Sequence, residues 1–176
     1  SAGNTGAGMT TALFVLGRVK GFDRPALGAI FPTPSSDPLL VIDVGANADC
    51  KPHHLVQFAQ MGSTYMERVF GVKSPRVGLL SNGEEDTKGN QLVKGAHKAL
   101  EKTKLNFIGN IEGKDIWAGV ADVVVTDGFT GNVLIKASEG FSTLALKFLK
   151  QILQSRLEFR IPSFLLNPAL SEFKKR

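Results

Sequence analysis

One cysteine, Cys50, stands alone in 176 residues, so no disulfide can close within the chain, and such usage suits a reducing compartment. A lone thiol with no evident base beside it is also a weak candidate nucleophile. No apolar run approaches the roughly 18 residues that a spanning helix needs, and there is no secretory signal pattern. A membrane-spanning segment is therefore not expected. His53, His54 and His97 fit no Ser/His/Asp arrangement. No Gly-rich turn ends in the Lys-Ser/Thr of a Walker loop or has dinucleotide-fingerprint spacing, which disfavours P-loop and nicotinamide chemistry. Internal repeats and low-complexity segments are lacking too. The first residue is not Met, and Ser1 falls in a turn with no strand to launch it. The chain is thus expected to be a piece of a longer protein.

What the chain does have is glycine, nineteen in all, concentrated in turns of one kind. Ser1-Ala2-Gly3-Asn4-Thr5-Gly6 opens the chain. Asp43-Val44-Gly45-Ala46-Asn47, then residues 82–90, then Asp127-Gly128-Phe129-Thr130-Gly131-Asn132 follow apolar runs and precede helical patterns. The runs Leu39–Ile42, Arg76–Leu80, Leu105–Ile108 and Val120–Thr126 predict strands, with a further short one in Pro25–Ile30. Helices are predicted over Thr5–Leu16, packed under the first turn, from Pro52, from the end of the 81–90 turn to about Lys102, and from Gly131. This alternation predicts an α/β fold of parallel βαβ units, whose ligands bind where strand-to-helix turns converge.

Each turn has two readings. Backbone N–H groups at helix starts suit an anion such as phosphate, but a Gly-rich turn also serves structure alone. Lys88 is either a phosphate ligand and carbonyl polariser or a solvated lysine paired with Glu84, Glu85 or Asp86. Asn132 either caps a helix or orients substrate. Asp43 and Asp127 end strands as capping or catalytic groups, with capping favoured for Asp43. Neither a histidine nor a further carboxylate is spaced to join Glu84–Asp86, so no metal site is expected.

The net charge of +5 lies wholly in residues 141–176, leaving residues 1–140 neutral. Phe141, Leu144, Ala145, Phe148, Leu149, Ile152, Leu153 and Leu157 form a wide helical stripe, with Lys147, Lys150 and Arg156 off it. A neutral body with a basic, apolar tail points to an anionic surface as partner. We therefore divide the chain into an α/β catalytic domain, 1–140, and an amphipathic basic segment, 141–176, which the family resemblance given below implies is a helical hairpin.

Taken in order, the motifs resemble the bacterial acyl-ACP:phosphate acyltransferase family, PlsX. They are Ser1-Ala2-Gly3-Asn4-Thr5-Gly6-Ala7, Gly17-Arg18 through Asp23-Arg24-Pro25-Ala26, Asp43 to Asn47, Cys50-Lys51-Pro52, and His54 to Phe58. Pro75 to Leu80, Gly83 to Asn90, Asn106 to Asn110, and Asp122 to Asn132 complete the set. Ser81-Asn82 and Gln91 are small departures. The resemblance implies a Rossmann-like open, mostly parallel sheet with helices on both faces, of the isopropylmalate dehydrogenase and phosphotransacetylase kind, with a protruding amphipathic helical pair. It implies transfer of a fatty acyl group from acyl-acyl carrier protein to inorganic phosphate, giving acyl phosphate for phospholipid synthesis, with no metal and no cofactor. An acyl-CoA donor or a non-catalytic membrane scaffold are the alternatives. Lys88 and Asn132 match the family's proposed catalytic lysine and asparagine. Gly3, Asn4, Thr5, Gly6, Asp43, Asn47, Asp127 and Thr130 are the candidate phosphate and substrate ligands. Phe159, Ile161, Phe164, Leu165 and Leu166 are the candidate membrane contacts. The expected partners are the carrier protein, phosphate, a second copy in a homodimer, and a downstream glycerol-3-phosphate acyltransferase that uses acyl phosphate; nucleic acid is not among them. The expected location is the cytoplasm, at the inner face of the cell membrane.

Overall fold

Leu39-Leu40-Val41-Ile42 forms strand β2, and all four residues are buried. They alternate between two cores, Leu40 and Ile42 facing one and Leu39 and Val41 the other, as expected of a strand covered on both sides. In the computed structural model, which describes residues 5–33 and 38–155, β2 joins β1 (Gly28–Phe31), β3 (Arg76–Leu80), β4 (Asn106–Ile111) and β5 (Val123–Val125). The sheet order is β1-β2-β5-β3-β4. The pairs β2–β5, β5–β3 and β3–β4 are parallel, and β1 runs antiparallel along the β2 edge. The sheet is therefore mostly parallel, and the turns after β2, β5 and β3 leave from one edge, side by side.

Helices α2 (Pro52–Val69) and α3 (Gln91–Leu100) cover one face. Leu55, Phe58, Ala59 and Met66 of α2, and Val93, Ala96 and Leu100 of α3, meet Val77, Leu79, Val123 and Val125 there. The other face buries Leu80, Ile111 and Val124 with Ile116 of the 3-10 turn Gly113–Ala118. Leu134, from α4 (Gly128–Ser155), packs against that second core. The predicted elements that fall within the described residues are thus present, with local differences; the part of the 141–176 hairpin beyond Ser155 lies outside them.

The strand assigned to β5 is shorter than predicted, although hydrogen bonds from Leu40 N to Asp122 O and from Thr126 N to Ile42 O continue the pairing at both ends. The strand β4 runs on through Gly109 and Asn110 instead of ending there. Its pairing with β3 steps from Val77↔Phe107 to Gly78↔Gly109, so Ile108 is an extra residue with nothing opposite. Gly109 takes φ +94°, as a bulge requires. The extra residue reverses which face the following side chains meet.

Helix α1 (Thr5–Leu16) forms as predicted, but Phe14, Val15 and Leu16 are exposed rather than packed under the first turn. The helix is apolar on all sides, so it has no polar face to choose a packing side. The chain divides into two compact units, Ser1–Ile135 and Lys136–Arg176. In the second, Phe141, Leu144, Phe148, Leu149 and Ile152 are exposed along α4. Among the described residues, no helix is long and apolar enough to cross a membrane.

The end of the sheet opposite the turns is tied by Asp122 and Arg76. The carboxylate accepts from Arg76 N at 2.7 Å, Nε at 3.1 Å and Nη2 at 2.8 Å. Burial pushes the Asp122 carboxyl up, and the bonds from Arg76 more than offset it, leaving it below its ordinary value. A carboxyl lowered by folding stabilises the fold above its unfolded value, and that contribution is lost as pH falls through the folded one. Asp122→Ala is therefore expected to cost about 2 kcal/mol at pH 7 in urea unfolding, and the difference should shrink below about pH 4. An equal difference at pH 7 and in acid would contradict the assignment.

Candidate functional site

Asp43 leaves β2 with no exposed surface. Its Oδ1 accepts from Leu27 N, Gly45 N and Ala46 N at 3.1, 3.1 and 2.9 Å. Its Oδ2 accepts from Asn47 N at 2.7 Å and Asn47 Nδ2 at 2.8 Å. Five donors thus fold the turn around one carboxylate. Asn47, also buried, donates through Nδ2 to Pro25 O at 2.7 Å. Both side chains are engaged inside the turn, so any effect they have on a ligand is exerted by shaping it.

The turn after β5 closes on this one. Gly128 N donates to Asn47 O at 2.8 Å. Gly131 approaches so closely that a Cβ there would lie 1.9 Å from Asp43 O, which only glycine permits. Asp127 caps α4: Oδ1 accepts from Thr130 N at 2.9 Å and Oδ2 from Thr130 Oγ1 at 2.7 Å. Asn132 is exposed, and its Nδ2 lies 3.5 Å from Val44 O. At that distance the bond is weak, and the amide remains available at the surface over Gly45.

Lys88 lies in the turn after β3, the neighbour of β5. Lys88 N donates to Glu85 O, and its side-chain stem lies over Gly83. Asn82 Oδ1 accepts from Gly89 N at 2.8 Å, and Asn90 caps α3 by accepting from Val93 N at 2.9 Å. Gly89 holds φ +93°, which turns the chain sharply into α3. Lys88 itself is exposed, and among the described residues no carboxylate pairs with its ammonium. Glu84 pairs instead with Lys114 at 3.4 Å, and Asp86 stands 3.4 Å from His97 Nε2.

Lys88 and Asn132 therefore rise from turns on adjacent parallel strands, both exposed. The turn holding Asp43 and Asn47 lies beyond Asn132. Two helix N-termini, those of α3 and α4, start from the same edge. Such an edge can hold an anion by N–H groups and an ammonium, and can present an amide to a carbonyl. Of the first turn, Gly3 and Asn4 lie outside the described residues, Thr5 begins α1, and Gly6 is an exposed residue of its first turn. Phe159, Ile161, Phe164, Leu165 and Leu166 also lie outside the described residues.

Sequence reasoning missed Asn110. It is buried, donates through Nδ2 to Glu85 O at 2.9 Å, and meets His97 Nδ1 at 2.9 Å through Oδ1, so it props the Lys88 turn from β4. The motif Asn106–Asn110 was visible, but only the bulge at Ile108 brings Asn110 to the α3 side. The grouping of Asp86 with His97 and Glu101 was also missed: His97 and Glu101, four apart on a helix, share a face, but nothing in the sequence brings Asp86 to them.

The profile of a family described as fatty acid synthesis protein matches residues 1–176. The chain is 53% identical over 176 residues to a phosphate acyltransferase of Bacillus licheniformis, covering 100% of this chain and 53% of that protein. It is 53% identical over 177 residues to that of Bacillus subtilis, with the same coverages, and 50% identical to that of Aquifex aeolicus, covering 100% and 52%. The chain thus spans about half the length of these relatives. Among solved structures, EutD phosphotransacetylase from Staphylococcus aureus superposes with a TM-score of 0.57 at 20% identity, covering 75% of this chain and 46% of that one. A phosphotransacetylase from Streptococcus pyogenes gives 0.50 at 18% identity, covering 70% and 44%. These two likenesses establish a shared α/β fold.

Cys50 sits at this edge, its Sγ 3.4 Å from Asn47 O. Burial pushes its thiol up to about 11, and the charges of Asp127 and Asp43 add to the rise. Alkylation by iodoacetamide should therefore be slow at pH 7.5 and still climb about tenfold per pH unit between pH 8 and 10. A rate that levels off near pH 8.5 would contradict this environment.

Proposed function

The chain belongs to the fatty acid synthesis protein family, and from that premise we propose that the complete protein transfers a fatty acyl group from acyl-acyl carrier protein to inorganic phosphate. A phosphate oxygen attacks the thioester carbonyl carbon, a C–O bond forms, the C–S bond breaks, and the carrier leaves as a thiolate that takes a proton. The products are acyl phosphate and free carrier thiol. No electrons are exchanged with a cofactor.

The observation that carries the reading is the exposed pair, Lys88 and Asn132, on turns from adjacent parallel strands beside two helix N-termini. In this reading Lys88 neutralises the phosphate dianion and the charge that develops on the carbonyl oxygen. Asn132 orients the thioester carbonyl through its amide. Holding the dianion against the carbonyl removes much of the entropic barrier, and the ammonium stabilises the tetrahedral oxyanion. Backbone N–H groups at the start of α3 supply further anion contacts. Asp43, Asn47, Asp127 and Thr130 hold the turns in register, and residues 3–6 add phosphate contacts. The similarity to phosphate acyltransferases of two Bacillus species supports the reaction class.

The exposed apolar residues of α4 from Phe141 to Ile152, with Lys147 and Lys150 and the residues beyond, support contact with an anionic membrane surface or a second copy of the chain. Peripheral attachment at the inner face of the cell membrane would deliver acyl phosphate to a downstream glycerol-3-phosphate acyltransferase. The acidic carrier protein would be drawn by the same basic charge.

The test uses the complete protein with palmitoyl-acyl carrier protein and phosphate, following thiol release and acyl phosphate. Lys88→Ala and Asn132→Ala should each lower the rate by about 10²–10³-fold, with the fold unchanged by circular dichroism. Release that does not depend on phosphate would overturn the reading, and release only from a coenzyme A thioester would move it to a different donor. Separately, charge reversal at Lys147, Lys150, Arg156 and Arg160 should reduce co-sedimentation with anionic liposomes. Unchanged co-sedimentation would remove the membrane surface from the account.

A further inference from the structure

His97 is almost wholly buried, its side chain 4% exposed, and both ring nitrogens face polar groups. Asn110 settles which nitrogen bears the hydrogen. Its Nδ2 donates to Glu85 O at 2.9 Å, so its Oδ1 is the atom 2.9 Å from His97 Nδ1. An amide oxygen only accepts, so Nδ1 carries the N–H. In the neutral ring, Nε2 then presents a lone pair. Two further acceptors stand near that lone pair, Asp86 Oδ1 at 3.4 Å and Glu101 Oε1 at 3.7 Å. Three acceptors this close together are stabilised by a positive species between them.

We propose that Asp86, His97 and Glu101 bind a divalent cation of the zinc class, tying the Lys88 turn to α3. The three ligand atoms all lie within 4.8 Å of one another. Tetrahedral zinc with N and O ligands at about 2.0–2.2 Å places those atoms about 3.3–3.6 Å apart, close to the spacings from Nε2. An imidazole ligand favours zinc-class metals over magnesium or calcium, which take oxygen shells. Asn110 plays the part that fixes the tautomer of a metal-bound histidine, accepting from the nitrogen remote from the metal. Asp86 and Glu101 are exposed at the rim of a cleft of ≈ 350 Å³, so they can close on an ion and leave one position to water.

Two other groupings of histidine and carboxylates do not meet these conditions. In Asp23–His53–His54, His54 Nδ1 accepts from Lys51 N at 3.1 Å, so its Nε2 carries the hydrogen and has no lone pair to offer. In Glu84–Glu112–Asp115, the Lys114 ammonium already bridges Glu84 and Glu112. The inference does not depend on acyl transfer, because its test reads cation binding and not turnover.

The complete protein, stripped with chelator, is titrated with Zn²⁺ against a chromophoric competitor, and separately with Co²⁺ for its visible absorption. One equivalent per chain should bind. Glu101→Gln should weaken binding at least about tenfold, Asn110→Ala by about 10–100-fold through the lost orientation of the ring, and His97→Gln should abolish the Co²⁺ band. Glu101 is exposed, so its variant reports on the site even if loss of the buried His97 impairs folding. Absence of saturable Zn²⁺ uptake, or uptake unchanged in Glu101→Gln, would overturn the proposal.

Discussion

Asp43 takes a carboxylate to a place with no exposed surface, where five N–H groups replace the water it has lost. A buried carboxylate is tolerated only with such replacement, and each hydrogen bond to a charged group is worth about 1.5–3 kcal/mol. The donors come from its own turn and from Leu27, just before β1, so this one side chain fixes both the edge strand and the loop leaving β2. The start of α4 is then packed against this turn. Gly131 can press on Asp43 O, and Gly128 can bond Asn47 O, only because that turn does not yield. Asn132 follows directly, and its amide is held over Gly45 without being consumed by the fold.

The Lys88 turn is built by a different device. No buried carboxylate organises it; neutral amides do, Asn82 and Asn90 from within and Asn110 from the neighbouring strand. The nearby acids are drawn elsewhere, Glu84 to Lys114 and Asp86 towards His97. A lysine in an acidic turn would ordinarily be neutralised by its neighbours, and here its ammonium is left for a ligand. The connections after β3 and β5 thus present opposite resources on adjacent strands, a cation from one and a polar amide from the other.

The strands, helices and three of the four turns were legible because apolar runs ending in Gly, Asn and Asp have a local physical cause. Leu39–Ile42 could only be a strand covered on both faces, and Pro52 could only open a helix. The capping role of Asp43 was readable for the same reason. Asn110 was not, because its direction depends on one unpaired residue, Ile108, whose presence is decided by pairing with β3. The freedom of Lys88 was not readable either. From sequence it sits among three acids, and only tertiary placement of Lys114 and His97 shows where two of them go. The antiparallel direction of β1 likewise comes from its pairing with β2, which short runs do not announce.

The central claim is that the parallel strand ends form one anion-holding edge centred between Lys88 and Asn132. Arsenate carries the charge and shape of phosphate, and its anomalous scattering marks its place in a crystal. The most direct measurement is a structure of the complete protein grown with arsenate. The account predicts an arsenic peak within hydrogen-bonding reach of the Lys88 ammonium, beside the N-termini of α3 and α4. A well-occupied arsenate bound away from that edge, with none beside Lys88, would contradict it.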